Sequence, residues 1–77
     1  MDHDVEIDAI GMKCPLPVLR LQKRLRAMEQ GEVARLCASD PMAEIDVPHF
    51  CAEAGHQYLG TEAAEGGTAY LVRKGGK

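Results

Sequence analysis

The chain is poor in aromatic side chains, since its 77 residues include no tryptophan, one phenylalanine and two tyrosines. Its core must therefore be built from Leu, Val, Ile, Ala and Met. No apolar run approaches the roughly 20 residues that span a bilayer, and the acidic start at residues 1–4 has no signal-peptide core. We expect residues 1–77 to form one cytoplasmic domain that has no membrane partner.

The sequence also lacks closely paired cysteines. Cys14, Cys37 and Cys51 lie too far apart for a C-x-x-C motif, and the three histidines show no ligand spacing. This pattern indicates neither a zinc site nor a disulfide framework, and no glycine pattern indicates a phosphate loop. The net charge of −3 argues against nucleic-acid binding through bulk charge. We expect no metal, no cofactor and no strong direct binding of nucleic acid.

The most informative stretch is Gly-Met-Lys-Cys-Pro-Leu-Pro at residues 11–17, which follows a strand-like alternation at residues 5–10. Proline suits the first turn of a helix, so we expect Pro15 as the first helical residue and Cys14 as the N-cap. The positive end of the helix dipole, with Lys13 beside it, should lower the pKa of the thiol. This stretch predicts an exposed, activated sulfur nucleophile. The alternative is a small buried cysteine that caps a helix poorly.

The segment after this stretch is typical of an amphipathic helix. Its apolar side chains recur at intervals of three and four residues: Val18, Leu21, Leu25 and Met28. Basic residues occupy other positions of the same helix. The cations closest to the thiol in sequence are candidates to dock an acidic partner surface, and they are Lys13, Arg20, Lys23 and Arg24. The alternative is that these charges only solvate the outer face of the helix.

Between residues 39 and 55 the sequence predicts a broken second helix. Asp40, followed by proline, is a strong start signal for it. Pro48 is expected to begin a second piece, because proline fits poorly inside a helix. We expect Met42 and Ile45 to face the core, and Cys51 to pack there rather than act as a resolving thiol.

Three further segments have strand character, at residues 33–38, 56–61 and 69–72. Alternation in the first of them places Arg35 and Cys37 on the side away from the core, where Cys37 is interpreted as a packing residue. The predicted order is β-α-β-α-β-β. Right-handed crossovers in so short a chain predict a two-layer α/β sandwich, with two helices on one face of a four-stranded mixed sheet. The other face is expected to stay partly open to partners.

These residues resemble the small sulfur-carrier proteins of the TusA (SirA-like) family, over residues 5–76. The most specific likeness is Cys14-Pro15-Leu16-Pro17, which matches the family's C-P-x-P motif at the start of the first helix. Residues 40–41, 46–48 and 70–74 also match family positions at similar spacing. The resemblance implies that the fourth strand lies antiparallel between the second and third. It also implies a sulfurtransferase-type carrier in which Cys14 holds sulfane sulfur as a persulfide.

The resemblance further implies two protein partners, a cysteine desulfurase or rhodanese-like sulfur donor and an acceptor protein with its own cysteine. Family members supply tRNA thiolation, molybdenum-cofactor sulfuration or sulfur oxidation, and the tRNA-thiolating members have an acidic residue where this chain has Leu16. The small core allows a monomer. The alternative function is a non-enzymatic regulatory module that binds RNA or protein through its basic first helix.

Overall fold

The order of the strands in the sheet defines this fold. A computed structural model of the protein describes residues 2–76. Within these residues the elements are β1 (Val5–Ala9), α1 (Leu16–Arg26), β2 (Val33–Ala38), α2 (Ala43–Ala54), β3 (Gln57–Ala64) and β4 (Gly67–Arg73). The sheet order is β1-β2-β4-β3; β1 runs parallel to β2, and β4 is antiparallel to both β2 and β3. The predicted element order and the central fourth strand are confirmed. Neither helix in this described part of the chain is long and apolar enough to cross a membrane.

The core lies between one face of the sheet and both helices. Alternate strand residues point into it, and they are Ile7, Ala9, Ala34, Leu36, Ala38, Tyr70 and Val72. The apolar stripe predicted for α1 is buried at Leu21, Leu25 and Met28, and Val18 is partly buried against the same cluster. Because burial of apolar surface is the main driving force for folding, both helices cover the same face, which gives the predicted two-layer sandwich.

The opposite face of the sheet carries an ion-paired arginine. Arg35 of β2 lies there as predicted, with its guanidinium 3.2 Å from Oε1 of Glu6 and 3.1 Å from Oε1 of Glu62. Leu71 is paired with Arg35 across β2 and β4, so it shares this face, yet it is only 1% exposed. Long charged side chains can cover apolar surface with their stems. Leu71 is thus buried on a face that neither α1 nor α2 covers.

The hairpin formed by β3 and β4 is longer than its sequence predicts. Strand β3 runs on to Ala64 and β4 begins at Gly67, which leaves Glu65 and Gly66 as the connecting residues. Gly66 has a φ of +79°, in the left-handed region that tight hairpin turns require and glycine tolerates. Alanine and glycine have low strand propensity, but pairing with β4 overrides that preference.

Helix α2 is unbroken, so the prediction of two pieces is wrong. It begins at Ala43 and continues through Pro48 to Ala54. Proline removes one backbone hydrogen bond from a helix interior. On either side of that proline, however, Ala43, Val47 and Cys51 form a stripe that is at most 2% exposed. Burial of this stripe holds the helix together across the missing bond.

The same stripe overturns the prediction that Met42 and Ile45 face the core. Their side chains are 46% and 64% exposed. Ile45 lies two positions from both Ala43 and Val47, which is about 200° around a helix of 3.6 residues per turn. Small residues face the sheet at this end of α2, and the two large apolar side chains are presented to solvent.

Candidate functional site

Cys14 is the exposed cysteine of the three and lies in the loop between β1 and α1. The loop opens with a tight turn in which the amide of Met12 donates to the carbonyl of Ala9 at 3.1 Å. Gly11 has a φ of +86° within this turn, a conformation that strains other residues. Its amide donates to Oγ of Ser39 at 2.8 Å. These bonds tie the loop to the end of β2 and fix the place where the thiol emerges.

The start of α1 lies one residue later than predicted. The helix begins at Leu16 with Pro15 in the N-cap position, and the Cys14–Pro15 peptide bond is cis. Pro17 is buried in the first turn, where the missing N–H costs no intrahelical hydrogen bond. Cys14 is therefore not the N-cap. Because the dipole effect is confined to the terminal turn, the helix end stabilises a thiolate here less than expected.

Two carboxylates from the region around the start of α2 contact Cys14. Oδ2 of Asp40 accepts a hydrogen bond from the amide of Cys14 at 2.7 Å, and Oδ2 of Asp46 accepts one from its thiol at 2.5 Å. The hydrogen bond to Asp46 is the largest cause that raises the pKa of Cys14, followed by partial loss of hydration and the negative charges of Asp46 and Asp40. The prediction of a lowered pKa is wrong, because both carboxylates disfavour a negative charge on the thiol.

Cys51 and Cys37 lie in different surroundings from Cys14. Cys51 is 1% exposed within the core, and burial raises its pKa to about 11. Cys37 lies on the second face of the sheet, with its Sγ 3.2 Å from Nη1 of Arg35, and burial raises its pKa despite that neighbouring charge. The packing predicted for both residues is confirmed. No group of three or more His, Cys, Asp or Glu among residues 2–76 is placed to hold a metal ion.

An apolar cleft of about 290 Å³ opens between α1 and α2 beside the thiol. The residues that line it are Cys14, Pro15, Val18, Asp46, His49, Phe50 and Glu53. Val18 and Phe50 also pack against the core, so the cleft has an apolar floor supported from below. The thiol therefore stands at the edge of a concave apolar surface, where a partner's chain could pack.

Large apolar side chains are exposed near the starts of both helices, and sequence analysis missed this feature. Leu16, Leu19, Met42 and Ile45, which we call the apolar collar, are 46–64% exposed. Leu16 follows Cys14 by two residues, and Ile45 precedes the aspartate that binds its thiol. The exposure of Met42 and Ile45 becomes evident only from the packing of α2. Clustered exposed apolar side chains typically mark a surface that binds another molecule.

The predicted docking cations are all exposed, and they are Lys13, Arg20, Lys23 and Arg24, here called the basic strip. Lys23 and Arg24 follow Arg20 on α1 by three and four residues, so both lie beside it on the helix surface. Lys13 lies close enough to Asp40 to help lower the pKa of that carboxyl. Within residues 2–76 none of the four has an ion-pair partner. The strip is a positive surface on a chain whose net charge is −3.

The fold and site define a two-layer α/β protein that presents one exposed thiol between the starts of its helices. A family model described as "Sulfurtransferase TusA" matches residues 5–74. The sulfur carrier protein TusA of Pseudomonas entomophila is 40% identical over 72 residues, covering 94% of this chain and 90% of its own length. The same protein from Pseudomonas syringae pv. syringae is 38% identical over 71 residues, covering 92% and 84%. The chain belongs to the TusA sulfurtransferase family, as its sequence predicted.

The fold is also found in a solved structure. The crystal structure of a SirA-like protein from Desulfitobacterium hafniense matches this chain with a TM-score of 0.76, covering 96% of this chain and all of that one. The two sequences are 24% identical, so this likeness concerns the fold alone.

Proposed function

We propose that this chain is a sulfur carrier that accepts sulfane sulfur as a persulfide on Cys14 and relays it to an acceptor protein. Family membership supports the carrier role. The observation that carries the assignment to Cys14 is its exposure, since Cys37 and Cys51 are both buried. A carrier must present the same sulfur atom to two different proteins, and an exposed loop on a rigid scaffold suits that task.

The chemistry is a displacement at sulfur, related to thiol–disulfide exchange. Sγ of Cys14 attacks the outer sulfur of the donor's persulfide, and a new sulfur–sulfur bond forms on Cys14. The bond between the two donor sulfurs breaks, and its electron pair remains on the donor cysteine. The outer sulfur keeps its oxidation level throughout, so the step needs neither an oxidant nor a second cysteine in the carrier.

The surface around Cys14 fits protein partners that combine an apolar contact with acidic groups. The apolar collar supplies exposed apolar area near the starts of the two helices, and the basic strip supplies exposed positive charge. Charge complementarity speeds encounter, whereas apolar burial stabilises the docked complex. We propose a cysteine desulfurase or rhodanese-like donor and a cysteine-bearing acceptor as partners, with Pro15, Leu16 and Pro17 shaping the loop that presents the thiol.

We further propose that residues 1–77 act as one domain and as a monomer in the cytoplasm, where thiols remain reduced. The regulatory alternative stays a prediction. It differs from the carrier in one testable respect, because binding of RNA or protein through the basic strip would not require a thiol at position 14.

The relay is tested by following the sulfur through both steps. The protein is loaded from radiolabelled cysteine by a desulfurase, separated from the donor, and mixed with a thiol-bearing acceptor protein. Cyanide treatment of the loaded protein should release the label as thiocyanate. If the acceptor is added before the cyanide, it should remove the label from the loaded protein. A Cys14→Ser variant should carry no label. Label that stays on the donor, or that binds equally to the Ser variant, would contradict the proposal.

A further inference from the structure

We propose that Asp46 is a catalytic residue that accepts and returns the Cys14 proton in both steps of sulfur transfer, an assignment that rests on the proposed carrier function. Oδ2 of Asp46 is 2.5 Å from Sγ of Cys14 and accepts its hydrogen bond. A general base must lie within hydrogen-bond reach of the proton that it removes. This carboxylate meets that requirement at the nucleophilic atom itself.

Packing of α2 holds the carboxylate in place. Asp46 lies early in the helix and is followed directly by Val47, which is fully buried. Ala43, one turn earlier, is also buried in the core. Because both neighbours anchor this turn against the sheet, the carboxylate is aimed at the loop by a rigid element rather than by a mobile one.

The other carboxylates and the imidazole near the thiol already have different partners. Both oxygens of Asp40 accept backbone amides, from Cys14 at 2.7 Å and from Met42 at 2.9 Å. In the cleft, Nε2 of His49 lies 2.9 Å from Oε1 of Glu53. Asp46 is thus the titratable side chain that accepts a hydrogen bond from Sγ of Cys14.

A base is needed because the resting thiol holds its proton. The thiolate is the attacking species in sulfur exchange, yet Asp46 and Asp40 both disfavour a negative charge on Cys14. An adjacent base solves this problem, since it removes the proton only as the new bond forms. The same arrangement keeps the free carrier protonated, and therefore less reactive toward small electrophiles, between encounters.

Loading then proceeds with balanced atoms and electrons. The donor presents R–S–SH, and Sγ of Cys14 attacks the outer sulfur while its proton passes to Oδ2 of Asp46. The donor's sulfur–sulfur bond breaks, its electron pair stays on R–S⁻, and Asp46 gives the proton to that thiolate. The products are Cys14 persulfide and R–SH, with Asp46 returned to its carboxylate form.

Unloading is the same step in reverse with a different thiol. The acceptor's thiol attacks the outer sulfur, Asp46 takes the proton of that thiol, and Sγ of Cys14 departs with the electron pair of the broken bond. A thiolate of high pKa leaves slowly. Because the pKa of Cys14 is raised, return of the proton by Asp46 makes it a better leaving group.

The test separates transfer from simple thiol reactivity by using Asp46→Asn at pH 7. Single-turnover loading from glutathione persulfide should fall by about 100-fold, the lower end of general acid–base effects. Alkylation of Cys14 by iodoacetamide should stay equal or become faster, because removal of the carboxylate lowers the pKa of the thiol. Asp8→Asn makes the same change of charge on β1, and it should match wild type in both assays.

Asp46→Glu, which keeps a carboxylate, should transfer sulfur faster than Asp46→Asn and provides a second variant. The assignment is overturned if Asp46→Asn loads as fast as wild type, if its loading and alkylation fall together, or if Asp46→Glu is no faster than Asp46→Asn. A wild-type protein that takes up no sulfur would contradict the carrier function instead, so the two failures are distinguishable.

Discussion

The backbone amide of Cys14 donates a 2.7 Å hydrogen bond to Asp40, which lies 26 residues later in the chain. The other oxygen of the same carboxylate accepts the amide of Met42 at 2.9 Å. One side chain therefore joins the loop that carries the thiol to the turn that opens α2. The amides of Cys14 and Met42 hold the pKa of Asp40 below its usual range, and the charge of Lys13 adds to this effect.

Replacement of Asp40 by alanine should lower the melting temperature in a pH-dependent way. A depressed folded-state pKa means that the stabilisation is fully present above the unfolded value of about 3.9 and is lost as pH falls through the folded value. Thermal melts of wild type and Asp40→Ala should therefore differ most near neutral pH and converge only as pH falls below the unfolded value. A difference that is constant across this range would contradict the role of Asp40.

The Cys14 thiol should titrate above the ordinary value of about 8.5, because it donates to Asp46 and lies near a second carboxylate. The rate of alkylation against pH gives this value when Cys37→Ala and Cys51→Ala isolate the site. The same background with Cys14→Ala is the control and should show no comparable reaction. An inflection below the ordinary value would show that the helix end dominates after all.

The order of strands and helices could be predicted from the sequence, but the raised pKa of Cys14 could not. The strands and helices could be predicted in order because they depend on local periodicity. Examples are the alternation that includes Ile7 and Ala9 in β1 and the apolar stripe of α1 that includes Leu21 and Leu25. The acidity of Cys14 depends on Asp46, which lies 32 residues away in the chain. No local pattern reports such a contact, because only the folded sheet brings the two segments together.

The exposed side of α2 was missed for a related reason. Met42 and Ile45 are apolar, and residue type alone favoured the core. The buried stripe instead runs through Ala43 and Val47, where a small side chain lets the helix approach the sheet closely. Which face of a helix is buried is decided by the fit between layers, and a short helix interrupted by proline offers too weak a periodic signal to reveal it.

Two neighbouring leucines of α1 should respond in opposite ways to truncation. Leu21 is fully buried, so Leu21→Ala should cost about 2–5 kcal/mol of unfolding free energy. Leu19 is 51% exposed, and Leu19→Ala should change that energy by no more than about 0.5 kcal/mol. Urea denaturation measures both values. Because Leu19 belongs to the apolar collar, its truncation should instead slow transfer from a protein donor; equal destabilisation by the two variants would contradict this placement.

Charge reversal on the basic strip should slow sulfur transfer from a protein donor. Arg20→Glu and Lys23→Glu should each reduce the rate, because like charges would then oppose an acidic partner. The effect should shrink as salt rises, since exposed charges are screened beyond about 10 Å at 0.1 M. Arg26→Glu makes the same change on α1 outside the strip and serves as control. Stopped-flow rates that are equal for all variants and independent of salt would show that the strip is only solvated.

The site of loading gives the most direct test of the carrier role. The protein is incubated with a cysteine desulfurase and cysteine, then weighed intact and after digestion by mass spectrometry. Wild type, Cys37→Ala and Cys51→Ala should each gain the mass of one sulfur atom on the peptide that contains Cys14, and Cys14→Ser should gain none. Sulfur found on Cys37 or Cys51, or on a folded Cys14→Ser protein, would contradict the central claim.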